Sequence, residues 1–558
     1  MIRITPGTAR PLHGIAATRA VEQSRAAGLP PHTLMQRAGL AVARLALAVA
    51  PHARTVWIAC GPGNNGGDGM EAAIHLKRWG KNVLVTWLGT AGATGATGGT
   101  DGSDGLGKSG TAPPDAARSH QRALDAGVRF ADAPPVQFDL CIDALLGIGS
   151  VRGSGGPSAT RPPAGRMAER MAEWIALMNS ACALVLAVDV PSGLNADTGH
   201  ADSQCVKAQF TLSLLTLKPG LFTGQGRDVC GQIWFDELAE LAEPDSPDAL
   251  ASLNGADGPY ECYGPDGLAA PPPSTALTSP NAWLGGAAAR SLRAHASHKG
   301  SYGDVAVIGG APGMTGAALL AASAALHSGA GRVFVALLDG GAMEVDLERP
   351  ELMFRHVDAL DFDATTLVCG CGGGDAVRHS LTRVLAGAGP VVLDADALNV
   401  LAGDSLLAAP FVALLQARAA RNAPTVLTPH PLEAARLAGS TAVQVQQNRL
   451  ATARLLSDRF MCTIVLKGSG TVIATPGKPL VVNPTGNAAL ATAGTGDVLA
   501  GLIGAGLANA QRSGTMVSQT SAHRVSCEAV FQHGAAADNW PTHRVLTAGA
   551  LAAALAMR

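Results

Sequence analysis

The sequence has few aromatic and charged residues for its length. Of its 558 residues, 4% are aromatic and 15% are charged, and the formal net charge is −2. Because there is no basic excess, the chain lacks the electrostatic field with which proteins attract nucleic acid or an anionic membrane. Apolar runs such as residues 315–326 are also too short to span a bilayer. We therefore expect neither a nucleic acid nor a membrane as a partner.

The cysteines show no pattern of a metal site or a disulfide framework. All ten are scattered, and no two of them form a C-x-x-C pair. This distribution is typical of reduced thiols rather than of a secreted, cross-linked domain. The first residues also lack the basic and apolar stretches of a signal peptide. Together these features predict a cytoplasmic protein.

What the chain has in abundance is glycine, with 68 residues, and 47% hydrophobic residues. A chain of this length exceeds one core, so at least two domains are expected. A polar, Pro- and Gly-rich segment predicts a linker at 243–257, between domains at 1–242 and 258–558. Two further low-complexity stretches, 89–119 and 149–165, are expected to be surface loops.

Both halves alternate short apolar strands with helical stretches, which predicts an α/β fold with a parallel sheet between helices. Two helices are predicted in the first half, at Leu34–Val49 and Met70–Trp79. Strands are predicted there at Thr55–Ala59, Asn82–Trp87, Phe138–Ile142, Leu184–Val188 and Phe210–Leu215. Strands are predicted in the second half at Asp304–Ile308, Arg332–Leu337, Thr366–Cys369, Val391–Leu393, Thr425–Leu427 and Thr463–Leu466.

A glycine-rich segment, residues 61–69, follows the first long strand and precedes a helix. A strand, a glycine loop and a helix N-terminus together form a seat for phosphate or a dinucleotide. Asn64, Asn65 and Asp68 add polar side chains that a simple phosphate loop would not need.

Acidic and hydroxyl side chains stand at the ends of two later strands, at Asp143, Asp189 and Ser192. In a parallel sheet these carboxyl ends border the crevice where ligands bind. Asn65, Asp143 and Ser192 offer hard oxygen ligands for a cation, and Asp189 would face the substrate. Each residue alone is more often a turn or helix-cap residue. Because the ends of these two strands and of the strand before Asn65 converge, we favour a functional role.

Two segments of the second half predict phosphate chemistry. Gly494-Thr-Gly-Asp497 opens an apolar helix, where backbone amides and the helix dipole favour an anion. Asp497 is well placed to take a proton from a hydroxyl that attacks a phosphate, although a first-turn aspartate can also simply complement the dipole. Lys467-Gly-Ser-Gly-Thr471, after a strand, is a second candidate anion loop.

These motifs resemble two known families along nearly the whole chain. Residues 63–69, 143–147 and 188–193 resemble the NAD(P)H-hydrate epimerase domain, the YjeF N-terminal family. Further motifs resemble the ADP-dependent NAD(P)H-hydrate dehydratase family: residues 299–303, 309–317, 394–399, 428–431, 467–471 and 494–497. The resemblance implies a Rossmann-like three-layer α/β/α domain followed by a ribokinase-like α/β domain.

The resemblance also implies roles for individual residues. In the first domain it implies K⁺ at Asn65, Asp143 and Ser192, with Asp189 as a catalytic residue, for acid–base chemistry or for stabilising the carbocation. The implied residues for binding the hydrate of NADH or NADPH there are Asn64, Asn65, Gly66, Gly67, Asp68, Gly147 and Asp189. The implied residues around the hydrate in the second domain are Ala317, Gly374, His430 and the catalytic Asp497, with Gly372 an alternative to Gly374. The implied residues for ADP are Lys467, Gly468, Ser469, Gly470, Thr471 and Gly496.

The implied function is repair of hydrated NADH and NADPH, by epimerisation and then by ADP-dependent dehydration. Mg²⁺ near the nucleotide and a homo-oligomer are further expectations. The alternative is a ribokinase-type kinase of a vitamin precursor, fused to a non-catalytic binding module. Two residues depart from the family pattern, namely Leu432 after Pro431, where glycine is usual, and Gln36, where an acid is common. For His430, hydrogen bonding within its own loop is the alternative to a role in substrate binding.

Overall fold

The computed structural model describes residues 1–89, 112–149, 165–239, 278–287, 295–341, 343–403, 405–512 and 518–555. They form two compact units. The first contains Met1–Thr5 and the described residues from Pro11 to Asn281, and the second contains Pro6–Arg10 and those from Ala282 onward. The linker predicted at 243–257 and most of the loops predicted at 89–119 and 149–165 lie outside the described residues.

The first unit is built on an eight-stranded sheet with the order β1-β9-β8-β7-β6-β3-β4-β5, parallel except for β1 against β9. The strands are β1 (Ile2–Arg3), β2 (Arg10–Leu12), β3 (Thr55–Cys60), β4 (Asn82–Trp87), β5 (Arg129–Ala131), β6 (Leu140–Ala144), β7 (Leu184–Val188), β8 (Phe210–Leu214) and β9 (Gln232–Asp236), with β2 outside this sheet. The helices are α1 (Ile15–Ala26), α2 (Thr33–Val49), α3 (Asn64–Arg78), α4 (Pro114–Asp125), α5 (Arg166–Ser180) and α6 (Gly226–Val229).

Helices cover both faces of this sheet. Along β3, Val56 and Ile58 point into a core that they share with α2 and α3. Trp57, between them, points into a second core on the opposite face, with Trp174 of α5. Successive strand residues face opposite sides, so two buried faces require an apolar residue at every position. The predicted three-layer α/β/α arrangement is thereby confirmed.

The second unit contains a mixed sheet. Its strands between residues 282 and 482 follow the order β13-β12-β11-β14-β15-β16-β17-β18-β19-β10, with β18 antiparallel to both neighbours. They are β10 (Ala282–Leu284), β11 (Asp304–Gly309), β12 (Arg332–Leu337), β13 (Met353–Phe354), β14 (Thr366–Cys369), β15 (Val391–Leu393), β16 (Thr425–Leu427), β17 (Thr463–Leu466), β18 (Val472–Ala474) and β19 (Leu480–Val482). The helices are α7 (Thr315–His327), α8 (Val377–Ala386), α9 (Asp396–Leu401), α10 (Ser405–Ala420), α11 (Pro431–Ala438), α12 (Ala442–Gln447), α13 (Arg449–Phe460), α14 (Thr495–Arg512), α15 (Gln519–Asp538) and α16 (Ala548–Ala554).

Small residues let the helix that carries Asp497 pack tightly in the second unit. A Cβ on Gly501 of α14 would stand 2.0 Å from the carbonyl oxygen of Ala321 in α7. A Cβ on Gly504 would stand 2.5 Å from Val368 of β14. Only glycine permits so close an approach. The first turn of α14 is therefore held at a fixed position beside α7 and the sheet.

The structure corrects two predicted boundaries near the first site. Helix α3 begins at Asn64 rather than Met70, so the glycine motif forms its first turn. A Cβ on Gly66 would stand 2.1 Å from the carbonyl oxygen of Gly61, so glycine is needed there despite its low helix propensity. Strand β6 ends at Ala144 rather than Ile142, because Asp143 still pairs in register with Ala187 of β7.

Residues 112–119 belong to the predicted low-complexity loop at 89–119, but part of them is helical. Helix α4 begins at Pro114, a residue suited to the first helical position, and Ala116 and Ser119 are fully buried. Across the described residues, the helices are all too short or too polar to cross a bilayer.

Candidate functional sites

A cavity of about 810 Å³ opens beside the glycine motif of the first unit. Of the residues predicted to bind the hydrate, Asn64, Asn65, Asp68, Gly147 and Asp189 line it. Gly66 and Gly67 are instead buried under these residues; a Cβ on Gly67 would meet the Met35 sulfur at 2.6 Å. These two glycines therefore support the cavity wall.

Asp143 and Ser192 form a buried cluster below this cavity. The hydroxyl and the backbone N–H of Ser192 donate to the Asp143 carboxylate at 2.6 and 2.8 Å. Leu146 N–H donates to Ser192 Oγ at 2.9 Å, and the Asn65 amide donates to the Leu146 carbonyl oxygen at 3.2 Å. The three residues predicted to hold a cation thus converge on one stretch of backbone.

The Asp143 carboxylate is fully buried, and burial raises its pKa to about 6. Within the described residues, no lysine or arginine forms an ion pair with it. A buried carboxylate of this kind is stabilised by a bound cation, and the side-chain oxygens of Asn65, Asp143 and Ser192 are ligands that suit a hard ion. The observed residues therefore fit K⁺.

Asp189 has a partner that the sequence did not suggest. Its backbone lies in the left-handed region, at φ 65°, and its carboxylate accepts a hydrogen bond from Leu214 N–H at 3.0 Å. The fully buried Lys218 ammonium also donates to this carboxylate and to the Leu214 carbonyl oxygen at 2.8 Å. Lys218 precedes a proline in a loop, so its sequence context resembles that of a surface lysine.

A second buried ionic network, centred on Glu71, was also missed. Arg122 donates to both oxygens of the fully buried Glu71 carboxylate, at 2.7 and 3.2 Å. His32, which lines the cavity, contacts the same carboxylate at 2.9 Å and Asp115 at 3.2 Å. With the Gln36 amide oriented so that its oxygen faces Arg122, this oxygen accepts from the same guanidinium at 3.2 and 3.3 Å.

In the second unit, Asp497 lies in the first turn of α14, after Gly494 with φ 88°. Ligand atoms of Asp497, Asp394 and Cys371 lie within 4.8 Å of one another. Burial and the Asp394 charge raise the pKa of Asp497 to about 7, while a hydrogen bond from Cys371 opposes the rise. Asp497 is therefore poised to accept a proton near neutral pH.

Lys467 is bound to the same group of acids. Its ammonium donates to Asp394 Oδ1 at 2.7 Å and lies 4.0 Å from Glu433 Oε2. A Cβ on Gly496 would stand 3.2 Å from this ammonium, so Lys467 and Gly496 of the predicted nucleotide site are neighbours. Mg²⁺ is a poor fit here, because the group includes a thiol and Asp394 is already paired with a cation.

The buried Arg449 fixes the predicted nucleotide loop, residues 467–471, from below. Its guanidinium donates to the carbonyl oxygens of Leu466 and Lys467, both at 3.1 Å. Gly468 and Gly470 have φ of 131° and 60°, which favour glycine. Ser469 is exposed, and the Thr471 hydroxyl donates to the Gly468 carbonyl oxygen at 3.1 Å. The loop is thus held in one conformation with an open rim.

The glycines near the predicted hydrate site divide their roles. A Cβ on Gly372 would stand 2.9 Å from Ala317, so Gly372 is the glycine that packs against this residue. Gly374, at φ 52°, donates its N–H to Asp396 at 2.8 Å. Both are near Met314, on the same stretch of chain.

His430 performs the local role that its sequence position suggested as an alternative. Its Nδ1 accepts from the N–H groups of Leu432 and Glu433, at 3.1 and 3.3 Å, which caps α11. Glu433 accepts in return from the His430 N–H at 2.8 Å. Leu432 supplies only its backbone to this cap, so the usual glycine is not required there. A role for His430 in hydrate binding stays a prediction.

Comparison with known proteins is consistent across both units. The family model YjeF_N, described as YjeF-related protein N-terminus, matches residues 31–220. The model Carb_kinase, described as NAD(P)H-hydrate dehydratase, matches residues 305–557. Together with the layered sheets, these matches confirm the predicted Rossmann-like and ribokinase-like fold classes.

Relatives match either the whole chain or its second part. A bifunctional NAD(P)H-hydrate repair enzyme of Coxiella burnetii is 33% identical, over 93% of this chain and 95% of its own. One from Escherichia coli is 33% identical over 92% of this chain and 85% of its own. An ADP-dependent (S)-NAD(P)H-hydrate dehydratase of Neisseria meningitidis is 42% identical over 47% of this chain and 86% of its own.

These matches favour the repair function over a vitamin-precursor kinase, because they include both domains in one chain. The chain belongs to the family of bifunctional NAD(P)H-hydrate repair enzymes.

Proposed function

We propose that this chain restores hydrated NADH and NADPH to the reduced coenzymes. The first unit would interconvert the R and S hydrates, and the second would dehydrate the S form with ADP, releasing AMP and phosphate. The observation that best supports the second activity is the position of Asp497. It is a half-buried acid with a pKa near neutrality, beside the amides of a helix start and a lysine-bearing loop.

Dehydration requires a better leaving group than hydroxide. Asp497 takes the proton of the hydrate hydroxyl while the hydroxyl oxygen attacks the β-phosphorus of ADP. The bond between this phosphorus and the bridging oxygen breaks, and that oxygen leaves with AMP. The backbone N–H groups of Gly494–Gly496 stabilise the charge that develops on the phosphoryl oxygens. The ring nitrogen then expels phosphate, and the adjacent carbon loses a proton to restore the double bond.

In this scheme Lys467 binds a phosphate of ADP while it remains paired with Asp394. An ammonium held by one carboxylate retains donors for a phosphate oxygen. Gly468–Thr471 and Gly496 would border the nucleotide, and Ala317, Gly374 and His430 the hydrate. Mg²⁺ binding stays a prediction. No ligands are assigned to it, because the cluster of Asp394, Asp497 and Cys371 fits Mg²⁺ poorly.

In the first unit, the cavity would hold the hydrate between Asn64, Asn65, Gly147 and Asp189. K⁺ would be held by Asn65, Asp143 and Ser192, where it neutralises a buried carboxylate and orders the backbone near Gly147. Asp189 contributes negative charge close to the reacting carbon. Asp189 thus opposes the positive charge that the ring acquires when hydroxide departs. Gly66 and Gly67 shape this binding wall.

The test is recovery of the near-ultraviolet absorbance of the reduced coenzyme. The purified chain, supplied with both hydrates, ADP and K⁺, should restore all of the absorbance and release AMP and phosphate equally. An Asp189→Asn variant should restore only the S fraction at the normal rate. A phosphorylated product without free phosphate would instead identify a kinase. Oligomeric state, which we expect to be homo-oligomeric, is measurable on the same sample by light scattering.

A further inference from the structure

Two aspartates border the cavity of the first unit, and their surroundings are opposite. The Asp189 carboxylate accepts from the Lys218 ammonium and from Leu214 N–H. The side chain of Asp68, which follows the first turn of α3, forms no hydrogen bond or ion pair within the described part of the chain. One acid is thus paired with a cation and the other is not.

Lys218 is committed to Asp189. The lysine is fully buried, and its ammonium otherwise contacts the Leu214 carbonyl oxygen and, at 3.4 Å, the Ser213 hydroxyl. A buried ammonium needs a nearby anion, and Asp189 is the carboxylate that it contacts. Lys218 therefore holds the Asp189 carboxylate in place at the cavity wall.

Asp68 has acidic neighbours. The negative charges of Asp189, Glu22, Glu71 and Asp115 act on it. Two cations of this unit are engaged by other acids, since Lys218 donates to Asp189 and Arg122 donates to Glu71. Arg19 and His32 also line the cavity, and His32 contacts Glu71 and Asp115. Burial and these negative charges raise the pKa of Asp68 well above its usual value. Glu22, on the same wall, has its pKa raised by burial and by Asp189.

We propose that Asp68 is the general acid of hydrate epimerisation and that Lys218 is a positioning residue that holds the Asp189 carboxylate at the cavity wall. The assignment rests on the proposed epimerase function. It makes Asp68 the proton donor and Asp189 the negative charge that stabilises the ring. Pairs of acids whose environments separate their protonation states are typical of acid–base catalysis. The family resemblance had assigned only hydrate binding to Asp68 and catalysis to Asp189.

The chemistry balances without a co-reactant. The Asp68 carboxyl gives its proton to the hydroxyl oxygen as the bond between that oxygen and the ring carbon breaks, and water forms. The ring nitrogen lone pair becomes a carbon–nitrogen π bond, so the ring gains one positive charge, which the Asp189 carboxylate offsets. Water then adds to the planar carbon from either face and returns its surplus proton to Asp68.

Substitution of the acid tests the proposal directly. Asp68→Asn should lower the kcat of epimerisation at least about 100-fold, the usual scale for general acid catalysis, with KM within about threefold. Dehydration of the pure S hydrate by the same protein should keep its normal rate, which controls for protein quality. A thermal unfolding scan of the variant controls for folding of the first unit.

The pH profile gives a second test that does not depend on any variant folding. In the unsubstituted chain, kcat should fall as pH rises and Asp68 loses its proton. The positioning role is tested separately, by substitution. Lys218→Met should lower the kcat of epimerisation by about tenfold or more with KM within about threefold, because the Asp189 carboxylate loses the contact that holds it, and Lys218→Arg should recover part of the loss. A role for Lys218 in folding alone would lower the thermal stability of the first unit and leave the kcat of the folded protein unchanged.

The experiments distinguish a failure of the proposed epimerase function from a failure of the roles assigned to Asp68 and Lys218. If the unsubstituted chain does not interconvert the hydrates at all, the proposed epimerase function is overturned. If it does, but folded Asp68→Asn keeps more than a tenth of kcat or changes only KM, the acid assignment is overturned. A kcat that stays constant from neutral to alkaline pH overturns it too. An unchanged kcat in folded Lys218→Met overturns the positioning role.

Discussion

The two units share an arrangement of two aspartates, of which one is paired with a lysine and the other is not. Each holds an aspartate paired with a buried or half-buried lysine, Asp189 with Lys218 and Asp394 with Lys467. Each also holds an aspartate without such a pair, whose pKa is raised by burial, Asp68 or Asp497. The lysine pairs keep one negative charge fixed, so the unpaired acid is the group whose proton can move.

The two unpaired acids suit different chemistry. Asp497 has a pKa of about 7, so a large part of it is ionised at neutral pH and can accept a proton. Burial and the negative charges of four nearby acids raise the pKa of Asp68 well above its usual value, so its protonated form is favoured and can donate a proton. A phosphoryl transfer needs a base, and departure of hydroxide needs an acid. The same residue type thus suits opposite steps.

The largest effect is expected from removing the base of the second unit. Asp497→Asn should lower ADP-dependent dehydration at least about 1,000-fold, because both the proton acceptor and its charge are lost. Epimerisation should stay within twofold. Dehydration is measured as absorbance recovery from the S hydrate, and epimerisation as the approach of pure R hydrate to a mixture. Equal loss of both activities would contradict the division of labour.

The next largest effect is expected on stability, from substitution of a tightly packed glycine near the start of α3. Gly66→Ala in α3 should destabilise the first unit by about 1–3 kcal/mol, because its Cβ would overlap the Gly61 carbonyl oxygen. Gly316→Ala in α7 is the matched control, since a Cβ there meets nothing within 4 Å. It should be neutral or stabilise by up to about 1 kcal/mol. Unfolding followed in urea measures both, and equal effects would contradict the packing argument.

A smaller effect is expected at the cation site. K⁺ at ten times its Kd should stabilise the first unit by about 1.4 kcal/mol at pH 7.5. Asp143 has a raised pKa of about 6 when folded, so without a cation its contribution to stability is lost as pH rises through 6. Asp143→Asn should remove both the K⁺ effect and this pH dependence. Thermal unfolding with K⁺ replaced by choline measures them, and K⁺ stabilisation retained in Asp143→Asn would contradict the site.

Sequence reasoning succeeded where local pattern determines structure. The bounds of Asn82–Trp87, Leu184–Val188 and Val391–Leu393 agree with the structure, because strands buried on both faces are short, continuous apolar runs. Helix α3 was predicted six residues too late, since glycine disfavours helices and the close contacts that require Gly66 and Gly67 involve distant parts of the chain or the preceding loop. The functional motifs were recognisable because their residue types and order follow a known family.

The missed residues are those whose role depends on distant contacts. Lys218 meets Asp189 across 29 positions, and Arg122 meets Glu71 across 51. Cys371 approaches Asp497 only because the loop after β14 and the start of α14 come together. No local pattern encodes such pairs. The general family roles were therefore predictable, whereas the groups that set protonation states were not.

The smallest expected effect tests how protonation is set in the second unit. Dehydration kcat should rise as pH increases through about 7, because Asp497 acts in its ionised form. The Cys371 hydrogen bond favours that form, so Cys371→Ala should move the rise to higher pH by less than about one unit, the scale of one neutral hydrogen bond. Cys371→Ser keeps a donor and should leave the profile closer to normal. If alanine and serine shift the profile equally, the thiol acts through packing rather than through its hydrogen bond, and Lys467 and a backbone hydrogen bond would oppose the rise in the Asp497 pKa without it.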